Sequence, residues 1–273
     1  MRRIALSVLV TCSLLPAVAA ARTSVSPCLL REPPADPGVL LAEATSRFKA
    51  SHKRRATNVR LAASRLDGQI IPPRGRLSYN RVVGPRTAES GYRKAPVILQ
   101  GRYQNRAGGG VCQPSSTLYS AAMLAGFRVP DRSPHLWVAG YVGPGFDATV
   151  SWRTKDLVIE NPYAFPVTVQ AHAGVDYLTI RLLGERAPPH YVVMKVTTLE
   201  TSTFPVKRER HANVPPGTEV VAVPGELGMK VSRVRERWRA GRRVGRETLT
   251  TDAYAPRPML ILEPPETITA AAQ

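Results

Sequence analysis

From Gln69 onward, proline and glycine cut the chain into short apolar or alternating runs, beginning with QIIPPRGRLSYN and GYRKAPVIL. Proline removes a backbone donor and glycine weakens any regular element it interrupts. This punctuation therefore admits short strands and tight turns and excludes long helices. Two windows escape it. In the stretch from Val39 to Leu66, the segment RRATNVRLAASRLDG sets Val59, Ala62, Ala63 and Leu66 at helical spacing, with Gly68 just beyond. In PSSTLYSAAMLAG, Pro114 opens a second helix, Leu118, Ala121, Ala122 and Ala125 share a face, and Gly126 stops it.

The expected fold class is α+β, with an N-terminal helix, a central helix preceded by a Gly-rich Cys loop, and an antiparallel sheet. Five β-type runs are expected to build that sheet: HLWVAGYV, ATVSW, DLVIENP, PVTVQAHA and DYLTIRLL. A Pro-containing break at ERAPPH follows. The chain from Tyr191 to Leu262 then reads as strands, with a hairpin turning at Ala240 and Gly241. That stretch is poor in large apolar residues, so it is expected to be a small, extended all-β domain suited to binding or spacing.

Arg2 and Arg3, the apolar run Ile4 to Leu15 and the small residues PAVAAA form a secretory leader over residues 1–21. A Pro-rich linker at 22–38 follows it, and a disordered tail at 263–273 ends the chain. Lys and Arg number 38 against 20 Asp and Glu, a formal charge of +18. In an exported chain such a field meets peptidoglycan, anionic wall polymers or lipid headgroups, and nucleic acid is excluded as a partner. No segment after the leader is expected to span a membrane. The expected location is the periplasm, the cell wall or the medium.

Of three cysteines, Cys12 leaves with the leader. Cys28 lies in the linker SPCLLREPPADPG, whereas Cys112 lies in AGGGVCQPSSTLYSAAMLAG. A Cys28–Cys112 disulfide is one reading and a free Cys112 the preferred one. Gly108 to Gly110 permit positive φ and close approach to the backbone, which makes Gly109 and Gly110 candidate substrate contacts. Cys112 then stands at a helix N-terminus, where unpaired amides favour a thiolate; those amides and the Gln113 side chain are candidate oxyanion donors. A nucleophilic thiolate needs a base, and among five histidines His135 is the candidate. Asp147 is a candidate to orient it, or an ordinary turn aspartate in GPGFD. Arg86 is a candidate carboxylate clamp. With no HxxxH or CxxC spacing, no metal site and no cofactor are expected.

Three blocks resemble successive motifs of the VanW family, named for a vancomycin-resistance accessory protein. VVGPRT at 82–87, GGGVCQ at 108–113 and DATVSW at 147–152 occur in the family's order within about residues 54 to 183. The segment from FPVKRERHANVPPG to RETLTTDAYAP resembles a G5 domain, a module often appended to wall-associated enzymes. The implied division is a VanW-like domain over 39–184 and a G5-like domain over 191–262. The resemblance implies peptidoglycan as substrate and an L,D-transpeptidase-like acyl transfer with Cys112 as nucleophile. His135 and Asp147 match the family's histidine and aspartate. The alternative is a non-catalytic, glycan-binding envelope protein. Two positions depart from the family pattern: Pro114 stands where a small aliphatic residue is usual, and Leu136 where serine is common.

Overall fold

The computed structural model describes residues 38–99 and 102–266. The leader, the linker with Cys28 up to residue 37, and the tail from 267 lie outside the described residues. Strands make up 44% and helices 14% of the structure, so the fold is mostly β, and the α+β arrangement expected holds only in part.

The first half runs β1 (Val39–Arg47), α1 (Lys53–Leu66), β2 (Gln69–Ile71), β3 (Arg76–Ser78), α2 (Tyr79–Val83), β4 (Lys94–Leu99), β5 (Arg102–Ala107), α3 (Cys112–Leu124), β6 (Arg128–Asp131), β7 (Val158–Glu160), β8 (Val167–Ala173) and β9 (Tyr177–Gly184). Its main sheet has the order β1-β9-β8-β2 and is antiparallel throughout. Strands β8 and β9 alternate strictly, burying Val167 and Val169, and Leu178, Ile180 and Leu182. Helix α1 lays Ala56, Val59, Ala62, Ala63 and Leu66 over that apolar face. Helix α3 is buried on all sides.

Val39–Arg47, which precedes the expected helix, is a strand: it pairs with β9 from Val39↔Gly184 to Arg47↔Tyr177, with a bulge at Leu40/Ala42 that turns Leu41 and Ala42 inward. The strand's long-range ladder outweighs the helical leaning of LAEA. Of the five runs expected after α3, only the last three yield strands. HLWVAGYV and ATVSW instead form a loop touched by the isolated bridges Ser133↔Thr149 and Ser151↔Lys155.

The second half contains β10 (Tyr191–Ser202), β11 (Val206–Arg210), β12 (Val220–Val223), β13 (Gly228–Arg239), β14 (Arg242–Thr248), β15 (Asp252–Tyr254) and β16 (Met259–Glu263). One sheet is β10-β13-β14 with β15 also on β13; the other is β11-β16-β12, in which β11 and β16 run parallel. The β13–β14 hairpin turns through Ala240 (φ 47) and Gly241 (φ 73), the paired left-handed conformation that a two-residue turn between twisted strands requires. No helix among the described residues is long and apolar enough to cross a membrane.

Candidate active site

The site begins with the glycine loop. Gly108 (φ 84) and Gly110 (φ 107) adopt conformations that disfavour side chains. A Cβ on Gly109 would lie 2.5 Å from the Ala95 carbonyl oxygen, one on Gly108 2.7 Å from Arg86 Cβ, and one on Gly110 2.8 Å from Arg55 Cγ. The close approach that these glycines permit is thus to the chain's own β4, Arg86 and α1. Buried Asn58 on α1 fixes the loop, donating to the carbonyls of Arg93 and Gly109 and accepting from the Arg93 amide. Tyr79 donates to the Val111 carbonyl at 2.8 Å. So held, the loop delivers Cys112 as the first residue of α3.

Helix α3 then anchors the loop that carries the other two groups. Ser115 Oγ donates to the Ala148 carbonyl at 2.6 Å, and Ser116 Oγ accepts from the Ala148 amide at 2.9 Å. These bonds satisfy buried backbone next to Asp147. Asp147, 1% exposed, presents Oδ2 to both the backbone N–H and the Nδ1 of His135, each at 2.6 Å. With Nδ1 committed to Asp147, the His135 ring keeps Nε2 3.4 Å from the Tyr141 hydroxyl and interacts electrostatically with Cys112. Cys112 also contacts the Val150 carbonyl at 3.5 Å. It is a free thiol.

The electrostatics follow from this geometry. Burial pushes the Cys112 thiol up, but the His135 hydrogen bond and charge, the Val150 backbone and the Arg86 charge together leave it below the usual thiol value. Burial pushes His135 down, while Asp147 and the facing sulfur outweigh that and raise it to about 9. For Asp147, burial acts upward and is outweighed by His135, Arg132 and Tyr254, which hold the carboxyl below its usual range. The three shifts run in one sense, favouring negative charge on Cys112 and Asp147 and positive charge on His135 between them. Burial and the Cys112 charge raise Tyr141, which stays a neutral donor at the site.

The remaining candidates fall in different places. All three guanidinium nitrogens of Arg86 are buried and lack a hydrogen-bond partner; the group sits 5.5 Å over the Tyr79 ring and 5.8 Å over that of Trp152. Gln113 is fully buried, and its amide nitrogen is spent on Ser46 Oγ and the Arg47 carbonyl, tying α3 to β1. Its backbone N–H goes to the Gly110 carbonyl, and Pro114 has none, so few donors remain at the helix mouth for an oxyanion. Beside the site, a cavity of about 330 Å³ is lined by Arg47, Phe48, Lys49, His52, Arg55, Gly140 and Tyr141. Among the described residues no three His, Cys, Asp or Glu side chains converge as a metal site.

Sequence reasoning missed Arg132, Tyr141 and Tyr254. Arg132 donates to the Asp147 carbonyl at 2.7 Å and pairs with Oδ1 at 3.0 Å, and Tyr254 donates to the same Oδ1 at 2.5 Å. Tyr141 is near enough in sequence to His135 to have been weighed as a site residue. Tyr254 lies 107 positions from Asp147, and no local pattern marks it.

Residues 54–183 match the family model described as VanW like protein, and residues 193–262 match that of the G5 domain. An uncharacterized protein, YoaR, from Bacillus subtilis (strain 168) is 40% identical over 131 residues, 48% of this chain and 43% of that protein. The vancomycin B-type resistance protein VanW of Enterococcus faecalis (strain ATCC 700802 / V583) is 30% identical over 110 residues, 38% of this chain and 40% of that one. The chain thus spans about two-fifths of the length of these curated relatives. Among solved structures, the IgA1 protease G5 domain is 23% identical, covering 29% of this chain and 96% of its own, with a TM-score of 0.20. HP0197-G5 is 16% identical, covering 26% and 96%, with a TM-score of 0.16. The chain is thus similar to the VanW-like family over residues 54–183 and to the G5 domain over 193–262.

Proposed function

We propose that this chain is an exported, cysteine-dependent acyltransferase acting on peptidoglycan stem peptides, with L,D-transpeptidase-like chemistry and a wall-binding C-terminal module. The observation that carries the reading is the buried His135–Asp147 pair beside Cys112 at the start of α3, where the thiol and the imidazole shift each other's titration, the thiol downward and the histidine up to about 9. That is the arrangement of an activated sulfur nucleophile with an oriented proton carrier. The likeness to a vancomycin-resistance protein, the basic charge of +18 and the leader-like N-terminus support a cell-wall setting.

In the proposed reaction the Cys112 thiolate adds to the carbonyl carbon of the L-to-D peptide bond of a tetrapeptide stem. The resulting oxyanion collapses, the C–N bond breaks, and the His135 imidazolium gives its proton to the departing D-alanine nitrogen. A thioester remains on Cys112. The amine of a second stem attacks it, His135 takes the proton released, and Cys112 leaves as a thiolate. Asp147 holds the imidazole with Nε2 toward the sulfur through both steps. In this reading the buried, unpaired guanidinium of Arg86 acts through its charge, which favours the Cys112 thiolate and the developing oxyanion.

The test is incubation of the purified protein with tetrapeptide-stem muropeptides, read by mass spectrometry for cross-linked dimers and free D-alanine. Wild type should form both, Cys112→Ala neither, and His135→Ala should be slower by about a hundredfold or more. Combining the two substitutions should cost little beyond either one, because the residues act as a unit. Binding of stems without product from wild type would favour the non-catalytic envelope protein instead.

A further inference from the structure

The C-terminal module does not simply follow the reactive domain; one of its strands is built into the site. Tyr254, at the end of β15, is 3% exposed, and its hydroxyl is placed between two groups of the His135 loop, accepting from the Gly145 amide at 2.7 Å and donating to Asp147 Oδ1. Next to it, Ala255 donates its amide to the Leu136 carbonyl at 2.8 Å, one residue beyond His135. Asp252, at the start of β15, takes the other arm of Arg132 at 2.5 Å. Arg233 on β13 reaches the Tyr119 hydroxyl of α3 and the Gly145 carbonyl. Every contact closes on the 132–148 loop or on the helix that anchors it.

We infer that Tyr254 and Asp252 are positioning residues for the His135–Asp147 pair, so that the reactive site is complete only with the C-terminal module docked. The inference rests on the proposed cysteine chemistry and extends it to a second domain. Its physical basis is how the two Asp147 oxygens are shared. Tyr254 and Arg132 occupy Oδ1, which leaves Oδ2 wholly to the backbone and ring N–H groups of His135. Without the Tyr254 hydroxyl, the buried Gly145 N–H loses its acceptor and Asp147 Oδ1 keeps Arg132 alone, so the loop that aims Oδ2 at His135 loses one of its ties. The carboxylate is then held less firmly to the imidazole. Asp252 acts through charge: without it, Arg132 has only Asp147 to neutralise, and the carboxylate's hold on the His135 proton weakens. Both losses lower the proton affinity of His135.

The experiment is an NMR titration of the His135 ring in the full chain, labelled at histidine and assigned with His135→Ala. It is carried out on wild type, Tyr254→Phe, Asp252→Asn and Glu247→Gln. The last substitution removes a partner of Arg235 in the same module without touching the Asp147 cluster. Wild type should titrate near 9. Tyr254→Phe and Asp252→Asn should each move downward by about half a unit or more, roughly threefold in proton affinity, and Glu247→Gln should not move. Superimposable curves for wild type, Tyr254→Phe and Asp252→Asn would overturn the inference while leaving the cysteine site standing. A wild-type midpoint in the ordinary imidazole range would instead overturn the thiolate–imidazolium reading itself. Should one of the two variants fail to fold, the other carries the test alone.

Discussion

The two halves of the molecule hold together by different means. In the first, Val59, Leu66, Ile71, Leu118, Ile159 and Leu182 are each wholly removed from water within one continuous cluster. In the second, buried apolar residues are few: Val192, Met194, Val214, Val231, Tyr254 and Ile261. Val192 and Met194 join the first half's cluster, and beside them the junction carries buried charge. Arg233 lies 3.2 Å from Asp252, Arg235 pairs with Glu247 at 2.7 Å, and buried Glu236 is shared by Lys195 and Arg243. Apolar burial is non-directional and lets the first half set its own stability, whereas paired charges act only in one geometry. The second half is therefore ordered in large part by what it docks against.

That contrast breaks most visibly at Arg233. Arg233→Ala should cost about 3 kcal/mol, because it leaves the Tyr119 hydroxyl and Asp252 Oδ2 without a partner in a buried junction, with Arg132 remaining on Oδ1 alone. Thermal unfolding followed by tryptophan fluorescence should show the loss. A cost below about 1 kcal/mol would mean that the charged junction does not order the module.

Stability should also depend on pH through the first half. His135 is raised to about 9 in the folded chain, so its contribution is complete below the ordinary imidazole range and is lost as pH rises through about 9. Urea titrations at pH 6 and pH 9.5 should differ for wild type and differ less for His135→Ala; equal pH dependence in both would contradict the pairing. Ile180→Val, within the apolar cluster, should cost about 1 kcal/mol by opening a methyl-sized space. Val221→Ser on the exposed face of β12 should stay within about 0.5 kcal/mol in the same urea titrations, since that side chain is 55% exposed. A larger loss there would point to a partner surface or a second core.

The same contrast decides how much was legible in the sequence. Helix α3 and the glycine loop could be read because local motifs carry them, whereas Asp147 read as readily as an ordinary turn residue of GPGFD. The strand character of Val39–Arg47 could not be read: alanine, leucine and glutamate favour a helix, and only pairing with β9, more than a hundred residues away, makes it a strand. HLWVAGYV alternates like a strand, yet its backbone bonds go to Asp147 and Ala255 instead of a ladder. The glycines announced a close approach correctly, but periodicity does not say that Ala95 and Arg55 are the neighbours. Tyr254 was invisible because its role exists only after two domains have met, and Arg132, 15 residues from Asp147, because no periodic pattern links the two.

The central claim is that Cys112 is the acylating nucleophile, and intact-protein mass spectrometry on the full chain tests it most directly. After brief exposure to tetrapeptide stems at neutral pH, without an acceptor amine, wild type should gain the mass of one stem less D-alanine. Peptide mapping should place that adduct on Cys112. Cys112→Ala should remain unmodified while keeping the wild-type circular dichroism spectrum. An adduct on another residue, or cross-linked dimers from folded Cys112→Ala, would contradict the account.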